Sequence, residues 1–214
     1  MTDAVVFLID DDPGVRRGVS RLLRSRGRQV QAYGSAKDFL DQPLPSGPAC
    51  IVLDLQMPEM NGLEVQQVLG QSKDTLPIVF ISGRGSIPAS VRAMKEGAVD
   101  FLTKPFEDDQ LLRAIDTALA RAREAFVRRD ALDRDCAIFD TLSQREKQVC
   151  LRVAQGMLNK QIGGELGTTE KTIKVQRGGV MKKLGAQSAA DVVRFVERLR
   201  IAGRLPPPPK LPGN

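Results

Sequence analysis

Asp10, Asp11 and Asp12 follow the apolar run Val5–Ile9, and Asp54 follows Cys50–Leu53. Ser82 follows Ile78–Ile81, and Lys104-Pro105 comes just after Val99–Leu102. Carboxylates gathered in one place repel one another, and a nearby cation removes that cost. Mg2+ suits such a set, because it keeps several waters and takes only one or two carboxylates plus phosphate oxygens. A carboxylate there can act as nucleophile toward a phosphoryl group and form an acyl phosphate. A lysine and a hydroxyl are the donors that an anionic group in transfer requires. Singly the pieces say little. An acidic triplet is ordinarily a solvated turn, and Ser82-Gly83 reads as a strand end. One such group after each of four strands, in order, is a specific arrangement.

A second set lies in the last third of the chain. Lys171, Lys174 and Arg177 recur every third residue, with Lys182 and Lys183 beyond them, while Ile173, Val180, Met181 and Leu184 fall on another face. Residues three and four apart are neighbours on a helix, so a basic stripe opposes an apolar one. A groove-entering helix needs that arrangement, with Lys171, Lys174, Val175 and Arg177 approaching bases or phosphates. An amphipathic surface helix with solvated lysines shows the same stripe.

The elements that must position these groups follow from periodicity. Five short apolar runs, Val5–Ile9, Val30–Tyr33, Cys50–Leu53, Ile78–Ile81 and Val99–Leu102, alternate with helical stretches. Val15, Val19, Leu22 and Leu23 give one helical stripe, Leu63, Val68 and Leu69 a looser one, Val91 and Met94 another, and Leu111 to Leu119 the last. Alternating β and α units predict a doubly wound, five-stranded parallel sheet of flavodoxin-like α/β type. Its sites fall at the carboxyl ends of the strands. From Leu142 the pattern is helix alone: Gln144–Ala154, Lys160–Leu166, Glu170–Leu184 and Ala189–Ile201, with Ser143, Thr169 and Ser188 as N-caps. Asn159–Leu184 reads as helix-turn-helix around Gly167-Thr168-Thr169. The expected domains are 1–122, a charged linker 123–138 whose composition permits helix, an all-α domain 139–203 and a disordered proline-rich tail 204–214.

Composition narrows the functions. The chain has no histidine, which excludes Ser-His-Asp and Cys-His catalysis, histidine-containing zinc sites and a phosphohistidine carrier. Residues 1–122 carry 14 basic and 16 acidic side chains, and residues 123–214 carry 18 and 10, so the net charge of +6 resides in the second half. That asymmetry suggests a polyanionic partner. No apolar run is long enough to span a bilayer. The stretch MTDAVVFLIDDDPG is acidic and its apolar run is short for a signal peptide, so none is expected there, and three cysteines without metal spacing suit reduced thiols. A cytoplasmic protein is expected.

The segments FLIDDDPGVR, CIVLDLQMPEMNGLEV, PIVFISGRG and AMKEGAVDFLTKPF resemble the receiver domain of two-component response regulators over residues 1–122. The resemblance implies that Asp54 is the phosphoacceptor and that Asp10 and Asp11 are the acid pair for Mg2+. Asp11, Asp54 and the backbone carbonyl of Gln56 would be the direct ligands. It also implies a hydroxyl switch at Ser82, an aromatic switch at Phe101, a phosphate-pairing Lys104 and a cis Lys104–Pro105 bond. LSQREKQVCLRVAQGMLNKQIGGELGTTEKTIKVQRGGVMKKLGAQS resembles the LuxR-type DNA-binding domain over roughly 139–202, with Glu146, Asn159, Ile162, Leu166, Thr172, Ile173 and Lys174 on its pattern. Together they resemble the NarL/FixJ class, nearer its FixJ branch. A phosphorylation-controlled transcriptional regulator is implied, not an enzyme. The expected partners are a sensor histidine kinase, double-stranded DNA, RNA polymerase and a second copy of the chain once phosphorylated. The DNA-contacting set is expected to be Thr169, Lys171, Thr172, Lys174, Val175, Arg177 and Lys182. Three departures stand out: Gly163 where alanine is usual, Gln176 in place of a frequent histidine, and Gly178-Gly179 inside the recognition helix, where each glycine costs roughly 0.8–1 kcal/mol against alanine.

Rival readings make distinct demands. A phosphohydrolase of the haloacid dehalogenase type would place its nucleophile after the first strand, and the basic half would have no task. A receiver serving only for dimerisation would not need Asp54, Ser82 and Lys104. A basic half binding RNA or simple anions would show salt-dependent, sequence-independent affinity.

Overall fold

A computed structural model describes residues 4–43, 45–71, 76–83 and 87–207. The chain divides into two compact units, residues 1–127 and 128–214.

In the first unit β1 (Val5–Ile9) pairs in parallel with β2 (Gln29–Tyr33) and β3 (Ala49–Asp54). The sheet continues to β4 (Ile78–Ser82) and β5 (Asp100–Thr103) in the order β2-β1-β3-β4-β5. The order reverses between β1 and β3, and open α/β sheets hold their ligands outside the carboxyl ends at such a point. Successive residues of a strand face opposite sides, and the core divides accordingly. Phe7, Ile9, Ile51, Leu53 and Phe80 enter one buried cluster, while Val6, Leu8, Val52, Val79 and Ile81 enter the other. β1, β3 and β4 are buried throughout, whereas β2 is a largely exposed edge strand.

The helices are α1 (Pro13–Ser25), α2 (Ala36–Leu40), α3 (Gly62–Gly70), α4 (Ile87–Lys95) and α5 (Asp108–Asp140). α2 has only five residues and no stripe in the sequence. It is held by Phe39, whose ring packs between Phe7 and Tyr33 with centroids 5.2 and 5.6 Å away. One stripe read from spacing does not face the core, and another faces it with Leu63 and Leu69 but not Val68. Val91 and Met94 of α4 are 46% and 45% exposed, and only Ala93 of that helix is buried. Val68 of α3 is likewise exposed, while Val65 and Leu69 are buried.

The second unit contains α6 (Gln144–Ala154), α7 (Asn159–Glu165), α8 (Glu170–Leu184) and α9 (Ala189–Ile201) around a core that includes Val149, Ile162, Ile173, Val180, Val192 and Phe195. Ser143 and Ser188 form capping boxes, and Thr169 caps α8 through the amide of Thr172. The stretch expected as a linker is part of α5. Leu132, Cys136 and Ile138 pack on this core, so three apolar anchors sit in what the sequence shows as a charged run. Leu205, assigned to the tail, packs there as well. Residues 208–214 of that tail lie outside the described residues.

Candidate functional site

The acidic triplet does three separate jobs. Asp10, at the end of β1, is fully buried. Asp11 is exposed. Asp12 is the N-cap of α1, its Oδ1 accepting from the amides of Gly14 and Val15, with Pro13 at the first helical position. A short acid before Pro is a helix-start signal, one that the reading of the triplet as a set of carboxylates did not use. The burial of Asp10 was not legible there.

Asp54, the last residue of β3, is 4% exposed and lies across from Asp10. Lys104 Nζ joins them, donating to Asp10 Oδ2 at 2.6 Å and to Asp54 Oδ1 at 2.8 Å. The other oxygens accept main-chain donors, Asp10 Oδ1 from Asp12 N–H at 2.9 Å and Asp54 Oδ2 from Gln56 N–H at 2.8 Å. Two carboxylates share one ammonium. Burial therefore pushes the Asp54 carboxyl above its ordinary range, with Asp10 adding to the rise and Lys104 opposing it. Burial alone would lower Lys104, but the hydrogen bonds and attraction from Asp10 and Asp54 outweigh it and raise the lysine.

Ser82 at the end of β4 is fully buried, and its carbonyl accepts the Lys104 N–H at 2.7 Å, tying the ends of β4 and β5 together. The Lys104–Pro105 bond is cis. Phe101 is half-buried, its ring 6.1 Å from that of Phe80. Gly62 opens α3 against the loop after Asp54, where a Cβ would lie 2.6 Å from the Asp54 carbonyl oxygen and 2.9 Å from Phe80 Cε1. Sequence reasoning passed over Gly62, because a glycine fixed by close approach looks like any other.

Of the three expected acids, two meet through Lys104 and the third stands apart from them. No three acidic or cysteine side chains form a metal-ligating group among the described residues. Asp10, Asp54 and Lys104 meet, and the Asp11 carboxylate stays in water, where its charge costs nothing to solvate. The donor set nonetheless fits Mg2+. Each of the four carboxylate oxygens accepts one of these hydrogen bonds and has a second lone pair. Asp11 adjoins Asp10 in sequence, and the ion needs only one or two carboxylates.

In the second unit Lys171, Thr172, Lys174, Val175 and Lys182 are exposed along α8 and Thr169 at its start. Val175 is 71% exposed, an apolar side chain left in water on a basic face. Arg177 departs from this set, being partly buried and donating to Asn159 Oδ1 at 3.1 Å across to α7. α8 runs unbroken through Gly178-Gly179 to a left-handed cap at Gly185. At Gly163 a Cβ would stand 2.9 Å from the Thr168 carbonyl oxygen, so the turn between α7 and α8 closes directly over this glycine.

Residues 6–116 match the response regulator receiver domain family, and residues 140–196 match the luxR family of bacterial regulatory proteins. The chain is similar to nodulation protein W of Bradyrhizobium diazoefficiens, at 45% identity over 94% of this chain and 88% of that one. Among solved structures it resembles the response regulator StyR, at 44% identity and a TM-score of 0.81 over 92% of this chain and 100% of that one. It also resembles full-length FixJ from B. japonicum, at 36% identity and a TM-score of 0.56 over 94% and 99%.

Proposed function

The chain belongs to the two-component response regulators of the NarL/FixJ class, a receiver domain followed by a LuxR-type DNA-binding domain, and from that premise we propose that Asp54 is its phosphoacceptor. The observation that carries this reading is the Lys104 ammonium, 2.8 Å from a nearly buried Asp54 carboxylate at the switch point of the sheet. A carboxylate oxygen of Asp54 attacks phosphorus, the phosphorus–nitrogen bond of a kinase phosphohistidine breaks, and an acyl phosphate forms. Lys104 then faces a phosphoryl oxygen as well as Asp10. Asp10, Asp11, Asp54 and the Gln56 carbonyl would hold Mg2+, which supplies positive charge to the transferring oxygens. The Ser82 hydroxyl becomes a donor to the phosphoryl group, and Phe101 moves inward behind it. The surface of α4, β5 and α5 then alters, a local charge event biasing a two-state element.

The output is DNA binding by the second unit, with α8 in a major groove. Lys171 and Lys174 meet bases or phosphates, Thr169, Thr172 and Lys182 meet the backbone, and Val175 meets a thymine methyl. Arg177 serves first to hold α7 against α8 through Asn159. Phosphorylation promotes a homodimer that reads two half-sites and engages RNA polymerase. The protein works in the cytoplasm and turns over no substrate of its own. Among the described residues no helix is long and apolar enough to cross a membrane.

Acetyl phosphate with Mg2+ should label the wild type and not Asp54→Asn, and should tighten binding to a cognate DNA fragment only in the wild type. Undiminished label on Asp54→Asn would defeat the assignment.

A further inference from the structure

Helix α1, PGVRRGVSRLLRS, carries no acidic residue. Arg17, Arg21 and Arg24 recur at i, i+4 and i+7, so they share one face. With Arg16, Ser20 and Ala32 of β2 they line a concavity of about 520 Å3 that has no acidic wall. That size falls among small-molecule sites. Among the described residues Arg17, Arg21 and Arg24 have no hydrogen bond or ion pair. Ser20, 5% exposed, lines the same concavity, and its hydroxyl is without a partner. Like charges one turn apart destabilise a helix, and an anion seated among them reverses that cost.

The spacing selects the kind of anion. Arg17 and Arg24 are about 10 Å apart along the helix axis, too far for one point charge to serve both well. Guanidinium groups pair with phosphate oxygens two bonds at a time. A concave site suits a molecule that enters it better than a duplex lying across it. We propose that this concavity binds a small molecule with two linked phosphate groups, of nucleoside diphosphate size, through Arg17, Arg21 and Arg24. Arg16 connects the site to the phosphorylation pocket. Its Nη1 donates to the Asp10 carbonyl at 2.6 Å, and the remaining guanidinium N–H groups can face the ligand. Occupancy therefore shifts the Asp10 end of the Asp10–Lys104–Asp54 cluster. The binding clause stands independently of the phosphoacceptor reading, and only the coupling clause rests on it.

The test is calorimetric titration of the full chain with ADP, and separately with inorganic pyrophosphate, in magnesium-free buffer at 0.15 M salt. Saturable binding is expected, weakened about tenfold or more in Arg21→Gln/Arg24→Gln and unchanged in Lys171→Gln/Lys174→Gln, which removes charge from the other basic surface. The proposal is overturned by the absence of saturable binding up to millimolar probe, by equal losses in both double variants, or by arginine-dependent binding of a polyglutamate peptide with none of ADP. For the coupling, ADP should change the rate at which acetyl phosphate labels Asp54, and Arg16→Gln should remove that change while ADP still binds. ADP binding with an unaltered labelling rate refutes the coupling alone. A protein that never labels, with or without ADP, refutes the phosphoacceptor reading and leaves the binding site standing.

Discussion

Replacing Gly62 with alanine pits a general gain against a local clash. Inside a helix, Gly→Ala ordinarily stabilises by about 0.5–1 kcal/mol. At Gly62 the new Cβ would sit 2.6 Å from the Asp54 carbonyl oxygen, 2.9 Å from Phe80 Cε1 and 3.2 Å from Leu55 Cα. Two of these are main-chain atoms, of Asp54 and Leu55, and neither can swing aside as a side-chain tip can. Carbon–oxygen contact below 3.0 Å is essentially never seen, so the Asp54 carbonyl or the start of α3 must move by some 0.4 Å. Overpacking of this kind costs typically ~1–3 kcal/mol, and the first helical position recovers little of the propensity gain. A net loss of about 1–2 kcal/mol is expected, which at ordinary urea sensitivity lowers the midpoint by roughly 0.5–1 M. Gly18, in the middle of α1 with nothing within 4 Å of its Cβ position, is the control, and Gly18→Ala should gain up to about 1 kcal/mol. Urea denaturation followed by circular dichroism measures both, and acetyl phosphate labelling should slow in Gly62→Ala alone. Equal stability of the two variants would refute the steric argument.

Asp54→Asn should stabilise the unphosphorylated protein near neutral pH. A carboxyl whose folded pKa lies above its unfolded value binds more protons in the native state between the two, so stability falls as pH rises through that window. Removing the charge removes the fall, and thermal midpoints of variant and wild type should converge below pH 4. Lys104 is raised, so its contribution is complete below the unfolded lysine value and is lost only as pH climbs through the higher folded one. Denaturation midpoints of the wild type and Lys104→Gln, compared up to pH 11, should draw together at the alkaline end. In α8, Gly178→Ala should add roughly 0.8–1 kcal/mol because its Cβ meets open space, and Gly179→Ala should add less because Glu146 Oε1 stands 3.4 Å away. Urea melts and hydrogen exchange of amides 178–184 report both. Lys174→Ala should weaken DNA binding and reduce its salt slope by about 1 if it meets a phosphate. Arg177→Ala should instead cost about 1 kcal/mol of stability through the lost Asn159 bond. Fluorescence anisotropy at several salt concentrations separates the two effects.

The sheet and the last four helices were legible because their signals are local. Apolar runs gave β1, β3 and β4, and Ser143, Thr169 and Ser188 marked the helix starts at which they are found capping. The site was legible in composition, since Asp54, Ser82 and Lys104 end different strands. Its charge balance was not. Which of three consecutive aspartates is buried, caps or stays solvated depends on where α1 begins, and Lys104 bridging two acids is a contact across 94 residues. The Arg177–Asn159 bond was hidden as well, because a basic stripe does not reveal a partner 18 residues away. Val91 and Met94 obey helical spacing while facing water, since periodicity gives a face and not its direction. Leu132, Cys136 and Ile138 were hidden among the charges of α5 because their partners lie in later helices.

The packing of Leu132, Cys136, Ile138 and Leu205 on the core of the second unit bears on how that unit can be isolated. A fragment cut to the recognisable family segment, 140–196, discards all four side chains along with Phe139 and Leu199, which are buried in the same core. It would uncover an oily seam that invites self-association during expression. Boundaries near residues 128 and 207 keep the seam closed, and a purification tag belongs beyond Leu205.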